Sequence, residues 1–278
     1  MRKWRWRVFC TLALAFSMYA SPLLAQNYVV SLKGGVIDWS NGIIEAIGIG
    51  FPPPNPTNVA LARAAAKTAA VTAARQNLHE ILTGVRIDSG TLVKDLVARS
   101  NHILKAIQGF LQKAEVVGFS YRPDGSVEAT AAMKLTPPLI EILLPTSIQD
   151  IHPIHQPGAT AKEKGEVYTG LVLDCRGLKV SPAMVLRILD EDGHEVYGAT
   201  YVSREHAVRH GMVEYTKDLN EAQRSKRVRD RPLTVKGIRT AGSGLSEIVI
   251  SNADAGCIRR AASNLSFLQK CRVIIVLD

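Results

Sequence analysis

The stretch from residue 58 to residue 83 is dense in alanine, free of glycine and proline, and bounded by Pro52-Pro53-Pro54-Asn55-Pro56 before it and Gly84 after it. Proline halts the preceding segment, Thr57 stands where a cap belongs, and a glycine commonly closes a helix at its C-terminal end. The stretch therefore reads as one long helix. Val71, Leu78 and Leu82 fall on one side of it, and its small residues allow it to lie close on a sheet.

Hairpins stand on both sides of that helix in the sequence. Upstream, within residues 29–50, Val36-Ile37-Asp38-Trp39 and Ile43-Ile44-Glu45-Ala46-Ile47 flank Ser40 and the pair Asn41-Gly42, a dipeptide that tolerates positive φ at both turn positions. Downstream, Val117, Phe119 and Tyr121 precede the turn Pro123-Asp124-Gly125, and Val127, Ala129, Ala131, Met133 and Leu135 alternate on the return. Glu128, Thr130 and Lys134 occupy the other face, which predicts a sheet wet on that side. Between them a short helix is expected near Leu92 to Val97 and a longer one from Asn101 to Lys113. In the longer one Ile103, Ile107, Phe110, Leu111 and Ala114 recur at steps of three and four, with Lys105, Gln108 and Gln112 opposite. The expected fold class is α+β: an antiparallel sheet with helices packed on one face over residues 26–144, followed by a second α+β domain.

Pro137-Pro138, Pro145, Pro153, Pro157 and the polar run from Ala159 to Lys164 mark a Pro-rich linker, bounded at 145–165. An apolar turn at Leu139 to Leu144 precedes it. The second domain, 166–278, is expected to hold strands at Val167 to Asp174, Met184 to Asp190, Leu233 to Arg239, Glu247 to Ile250 and Arg272 to Leu277. Helices are expected near Arg204 to Arg209, Lys217 to Arg224 and Ala253 to Asn264, the last capped by Ser251 or Asn252. The run Val273 to Leu277 is apolar at every position, as a strand covered on both faces requires.

The first 25 residues carry the three parts of a secretory signal: basic Arg2, Lys3, Arg5 and Arg7, an apolar stretch from Val8 to Ala20, and Leu23-Leu24-Ala25 before a cut. Cleavage is expected between Ala25 and Gln26, with an uncleaved anchor as the alternative. Cys10 lies too early in the apolar stretch to be a lipidated residue. Beyond residue 25 no apolar run reaches the ~18 residues that a membrane-spanning helix needs. Four of the 34 Lys+Arg and none of the 25 Asp+Glu fall in residues 1–25, so the net charge of +9 drops to +5 after cleavage. A mildly basic exported chain with no nucleic-acid-binding motif is a poor candidate for that class of partner. Three cysteines follow the signal, Cys175, Cys257 and Cys271, and an odd number permits at most one internal disulfide. The candidate pair is Cys257 with Cys271; the alternative is three small buried hydrophobes.

Several spaced segments are similar to a known family: Val36 to Gly42, Gly48-Ile49-Gly50-Phe51-Pro52, Ala74-Arg75-Gln76-Asn77-Leu78, Gly84 to Ser89, Gly109-Phe110, and Asp124 to Glu128. Residues 36–135 resemble the Lpp-twenty outer-membrane lipoprotein family, itself similar to the N-terminal domain of the flagellar protein FlgT and to FlgP. Ile250 to Ala255 and Leu265 to Leu268 resemble the C-terminal region of exported relatives with no assigned activity. The resemblance implies a periplasmic envelope protein, peripherally associated with the outer membrane, whose partners are envelope or flagellar protein subunits. It implies no chemistry and no cofactor. The chain departs from the lipoprotein members in lacking the lipidated cysteine.

Catalytic and metal-binding patterns are weak. His206 and His210 stand at i, i+4, but no HExxH and no third ligand accompany them. His152 and His155 fall in the linker. Asp190-Glu191-Asp192-Gly193-His194-Glu195 fails the calcium-loop spacing and reads as a hairpin turn between Ile188-Leu189 and Val196-Tyr197. Gly48-Ile49-Gly50 lacks the third glycine of a dinucleotide loop. What stands out is charge: Arg224, Lys226, Arg227, Arg229 and Arg231 lie within eight residues. That cluster is expected to be either a solvated loop or a docking surface for an anionic envelope surface or an acidic subunit. The functional expectation is a non-catalytic structural or assembly protein of the cell envelope. The alternative is a periplasmic ligand-binding protein or enzyme with a site between the two domains.

Overall fold

The computed structural model describes residues 27–54, 57–148, 168–261 and 266–278. The cleavage site at Ala25 and Gln26, the linker beyond Ile148 with His152 and His155, and the end of the helix expected to reach Asn264 lie outside the described residues.

The first sheet is built from β1 (Val29–Leu32), β2 (Gly35–Asp38), β3 (Ile43–Gly50), β4 (Glu115–Tyr121) and β5 (Val127–Lys134). Its order is β1-β2-β3-β5-β4, antiparallel throughout. Helix α1 (Val59–Thr83) covers one face. In β3 the residues facing it are Ile44, Ala46, Gly48 and Gly50, while Glu45, Ile47 and Ile49 face outward. The helix answers with Ala62, Ala66, Ala70 and Ala74, one every fourth residue, and then Leu78. Contact is backbone against backbone: a Cβ placed on Gly48 would stand 2.0 Å from the Ala74 nitrogen, and one on Gly50 2.0 Å from the Ala66 oxygen. The glycine pair is the seat of the helix and has nothing to do with phosphate.

Two local expectations are corrected. The α1 cap is Asn58, whose Oδ1 accepts from the amides of Ala60 and Leu61 at 2.9 and 3.1 Å, not Thr57. The β2–β3 connection is a four-residue loop, Trp39 to Gly42, in which only Gly42 has positive φ (63°) and the Asp38 carboxylate accepts from the Asn41 amide. The alternation expected for β5 holds, with Val127, Ala129, Ala131 and Met133 buried. On β4 a bulge between Val116 and Gly118 breaks the pattern, and Val117, Phe119 and Tyr121 are exposed.

Helix α2 (Val93–Arg99) precedes α3 (Asn101–Gln112), whose Ile107 and Leu111 are buried. Helix α4 (Pro137–Leu143) follows, beginning with proline where the missing N–H is harmless and burying Leu139 and Leu143.

The second sheet contains β6 (Gly170–Asp174), β7 (Arg187–Leu189), β8 (Glu195–Tyr197), β9 (Glu214–Thr216), β10 (Pro232–Ala241), β11 (Glu247–Ile250) and β12 (Val273–Val276). The order is β8-β7-β11-β10-β6-β12-β9, with parallel and antiparallel pairs mixed. Its helices are α5 (Arg204–His210), α6 (Leu219–Arg224), α7 (Asn252–Ala261) and α8 (Ser266–Gln269). Ser251 caps α7, accepting from the Asp254 amide at 3.0 Å. Strand β12 is buried at every residue: Val273 and Ile275 join the main core, while Ile274 and Val276 pack with Ala222 of α6 and Val228 on the opposite face. Strand β9 and helix α8, three and four residues long, are too short to leave a period in the sequence.

The two sheets share one apolar core, which runs from Ile44 and Leu78 to Leu171 and Ile275. Backbone bonds cross between the halves from Met184 to Arg86 and from Val185 to Ile87, at 3.0 and 2.7 Å. The Trp39 ring meets Tyr215 edge-on at 5.7 Å. Arg204 donates to the carbonyls of Glu141, Pro145 and Ile148. The first residues of the expected linker are thus packed, and Ile148 is buried.

The candidate disulfide is not formed, since Cys175, Cys257 and Cys271 are all free thiols. Cys271 sits in the core between α8 and β12, whereas Cys257 is half-buried on α7, where Arg260 donates to its sulfur at 3.3 Å. Burial pushes the Cys175 thiol up to about 12 and that of Cys271 to about 11, so both stay protonated and behave as small hydrophobes.

Candidate functional site

The five clustered cations begin at the last residue of α6, whose cap is Asp218: its Oδ1 accepts from the amides of Asn220 and Glu221 at 2.7 and 3.1 Å. The helix ends at Arg224, and the chain turns so that Val228 drops into the core. Thr169 pins the far side of this turn. Its Oγ1 donates to the Val228 carbonyl at 2.6 Å and accepts from the Arg231 amide at 3.0 Å. The cations then divide. Arg227 turns inward, with its side chain 13% exposed, and donates to the carbonyls of His210 and Gly211 at 2.9 and 2.7 Å. Arg224, Lys226, Arg229 and Arg231 are exposed, and their side chains make no hydrogen bond or ion pair with a described residue. Of the five residues expected to form a docking surface, Arg227 is therefore withdrawn, because the backbone carbonyls at the end of α5 engage it.

Beside this loop a cleft of about 230 Å³ opens where the Trp39–Gly42 loop, Lys134 and α4 meet the end of α5 and β9. A wider groove of about 590 Å³ adjoins it, sharing Ser40, Asn41, Glu214 and Tyr215, and reaches Arg224 and Lys226. Sequence reasoning found neither Glu214 nor Lys134, which come from different halves of the chain.

Two titratable groups in the cleft are perturbed by burial. Burial lifts the Glu214 carboxyl above its ordinary 4.5; Arg227, 3.9 Å away, pulls the other way without prevailing, and Glu221 adds to the rise. Burial first, then Arg227, His206 and Arg209, hold His210 below its ordinary 6.5. His206 and His210 have ring centroids 6.4 Å apart, and no third metal ligand joins them among the described residues.

The raised Glu214 pKa means that the folded state holds this proton more tightly than the unfolded chain. The associated stability is complete below about pH 4.5 and is lost as pH rises through the elevated folded value. Glu214→Gln is accordingly expected to remove that loss, melting higher than the parent at about pH 7 and no higher at about pH 4. Thermal denaturation at the two pH values checks this, and an equal shift at both would show that the carboxyl does not titrate with folding.

The acidic turn between β7 and β8 is a structural turn, as its spacing predicts. Buried Asp190 accepts from the amides of Asp192 and His194 at 3.1 and 2.8 Å and from Arg259 at 2.8 Å. Burial pushes its pKa up, but the Arg259 guanidinium and the His194 amide outweigh that and hold it below the usual carboxylate range. Asp190, Asp192 and His194 lie close enough to share a cation, yet Arg259 already balances the buried charge.

Residues 170–278 match the family model of the second domain of Treponema pallidum Tp0624. No curated protein matches the chain. The matched segment starts at the first residue of β6 and contains the whole seven-stranded sheet and the basic loop, and it leaves the five-stranded sheet outside.

Proposed function

We propose that this chain is an exported, non-catalytic structural or assembly protein of the cell envelope that docks through Arg224, Lys226, Arg229 and Arg231. The partner is an anionic envelope surface or an acidic envelope or flagellar subunit. The observation that carries this reading is four exposed cations, unpaired among the described residues, on a loop held in place by Arg227 and Thr169. Like charges gathered on a pinned loop repel one another, and an anionic partner relieves that repulsion over the ~10 Å through which charges act at about 0.1 M salt. The likeness of residues 36–135 to the Lpp-twenty family supports the envelope setting, and the signal-like N-terminus supports export to the periplasm.

The test is retention of envelope fractions by the purified protein at rising salt. Each exposed contact contributes about 0.5 kcal/mol, so changing all four residues to Ser is expected to weaken association roughly 30-fold and to abolish most of its salt dependence. Arg227 is left intact so that the loop keeps its shape. Equal retention with the parental salt profile would reduce the loop to a solubilising feature.

A further inference from the structure

We infer that the free edge of the first sheet, β4, receives an extended acidic segment of another protein as a sixth strand, with Arg63 and Lys67 of α1 reading the carboxylates of that segment. Among the described residues, strand β4 ends the sheet and pairs only with β5. Edge strands are ordinarily guarded by lysine, proline or a covering element. Glu115 to Tyr121 contains neither lysine nor proline, and Val117, Phe119 and Tyr121 are 57%, 37% and 48% exposed. The single bulge lies before Gly118, so the remainder of the strand is regular.

The backbone polarity of that regular part follows from one bond. The Arg122 amide donates to Ser126 at 3.0 Å, toward β5. Amides alternate sides along a strand, so those of Tyr121 and Phe119 point away from the sheet, free to pair with an added strand. The side chains above this edge are cationic. The Arg63 guanidinium lies 4.8 Å from the Tyr121 ring centroid, and Lys67 Nζ lies 4.2 Å from that of Phe119. Neither cation has a carboxylate partner among the described residues. The first turn of α1 holds no acidic residue, so the positive end of the helix dipole adds to these two charges and is not offset.

An extended chain recognised here needs backbone groups for the edge and side chains at every second position facing α1. Against two cations, those side chains are carboxylates. A second copy of this chain is the wrong occupant, because antiparallel pairing of two β4 edges would bring one Arg63 and Lys67 pair toward the other. The inference concerns the half of the molecule that does not carry the Arg224 loop, so it stands or falls apart from the docking function proposed above.

The experiment uses the full chain and two synthetic heptapeptides with blocked ends, one alternating Glu and Val and one alternating Lys and Val. Fluorescence anisotropy is expected to show saturable binding of the Glu peptide only, weakened by about tenfold in the double variant Arg63→Ser, Lys67→Ser. Amide exchange followed by NMR is expected to show the Phe119 and Tyr121 amides gaining protection on binding, a change that purely electrostatic docking leaves out. The inference is overturned by the absence of saturable binding, by equal binding of the Lys peptide or of the double variant, or by binding without added protection at those two amides.

Discussion

A Gly50→Val variant is expected to lose more than about 4 kcal/mol of stability, enough to unfold a domain of ordinary marginal stability. The reason is the nature of the atoms in the way. A Cβ on Gly50 would stand 2.0 Å from the Ala66 oxygen and 2.4 Å from the Ala70 nitrogen, both backbone atoms of a 25-residue helix. No rotamer change relieves such a clash. The helix would have to lift off the sheet, opening a gap along Ala62, Ala66, Ala70 and Ala74, whose methyl groups are too short to refill it. Gly109→Ala supplies the contrast. This glycine lies inside α3 with nothing within 4 Å of its added methyl, and the change is expected to stabilise by about 0.5–1 kcal/mol. Urea denaturation of the three proteins measures both effects, and a Gly50→Val variant as stable as the parent would mean that helix and sheet are not in backbone contact.

Arg227→Ala is expected to cost about 3 kcal/mol, while Ala at Arg224 or Lys226 changes stability by less than about 0.5 kcal/mol. Truncating Arg227 strips the carbonyls of His210 and Gly211 of their donors and leaves Glu214 without its nearest cation. Arg227→Lys is expected to recover little, because a single ammonium cannot present two parallel donors to two successive carbonyls as a planar guanidinium does. The Ala variant carries a second signature. With the opposing pull of Arg227 gone, the Glu214 pKa rises further, and the loss of stability with increasing pH extends to higher pH. Chemical denaturation at several pH values separates this from simple loss of packing. Equal effects at positions 224, 226 and 227 would show that Arg227 is as loose as its neighbours.

Much of the architecture was legible in the residues because it depends on near neighbours in the chain. The extent of α1 followed from alanine between proline and glycine, β5 from alternation, and β12 from an unbroken apolar run, and all three lie within a residue or two of expectation. The β7–β8 turn likewise showed in its spacing, since a side chain accepting from amides two and four residues ahead is a local matter. Asn58 was missed as a cap because Thr57 beside it is an equally good cap by type, and only the backbone angle at the start of the helix separates them.

The candidate sites were far less legible. Arg63 and Lys67 on an otherwise uncharged helix start were a visible signal, but their meaning depends on the β4 edge that lies beside them. Glu214 and Lys134 meet only because the two sheets pack against each other. The cations from Arg224 to Arg231 read as equals in sequence, since charge and spacing treat them alike. Only the tertiary structure separates them, because Val228 is drawn into the core, the turn around it is pinned by Thr169, and this aims Arg227 at carbonyls seventeen and sixteen residues earlier in the chain. Composition and periodicity determined which elements form and which faces they bury, for those depend on residues a few positions apart. Which side chain reaches solvent and which satisfies a distant backbone group was decided by how the finished elements pack, where the burial of a single carbonyl outweighs any local preference.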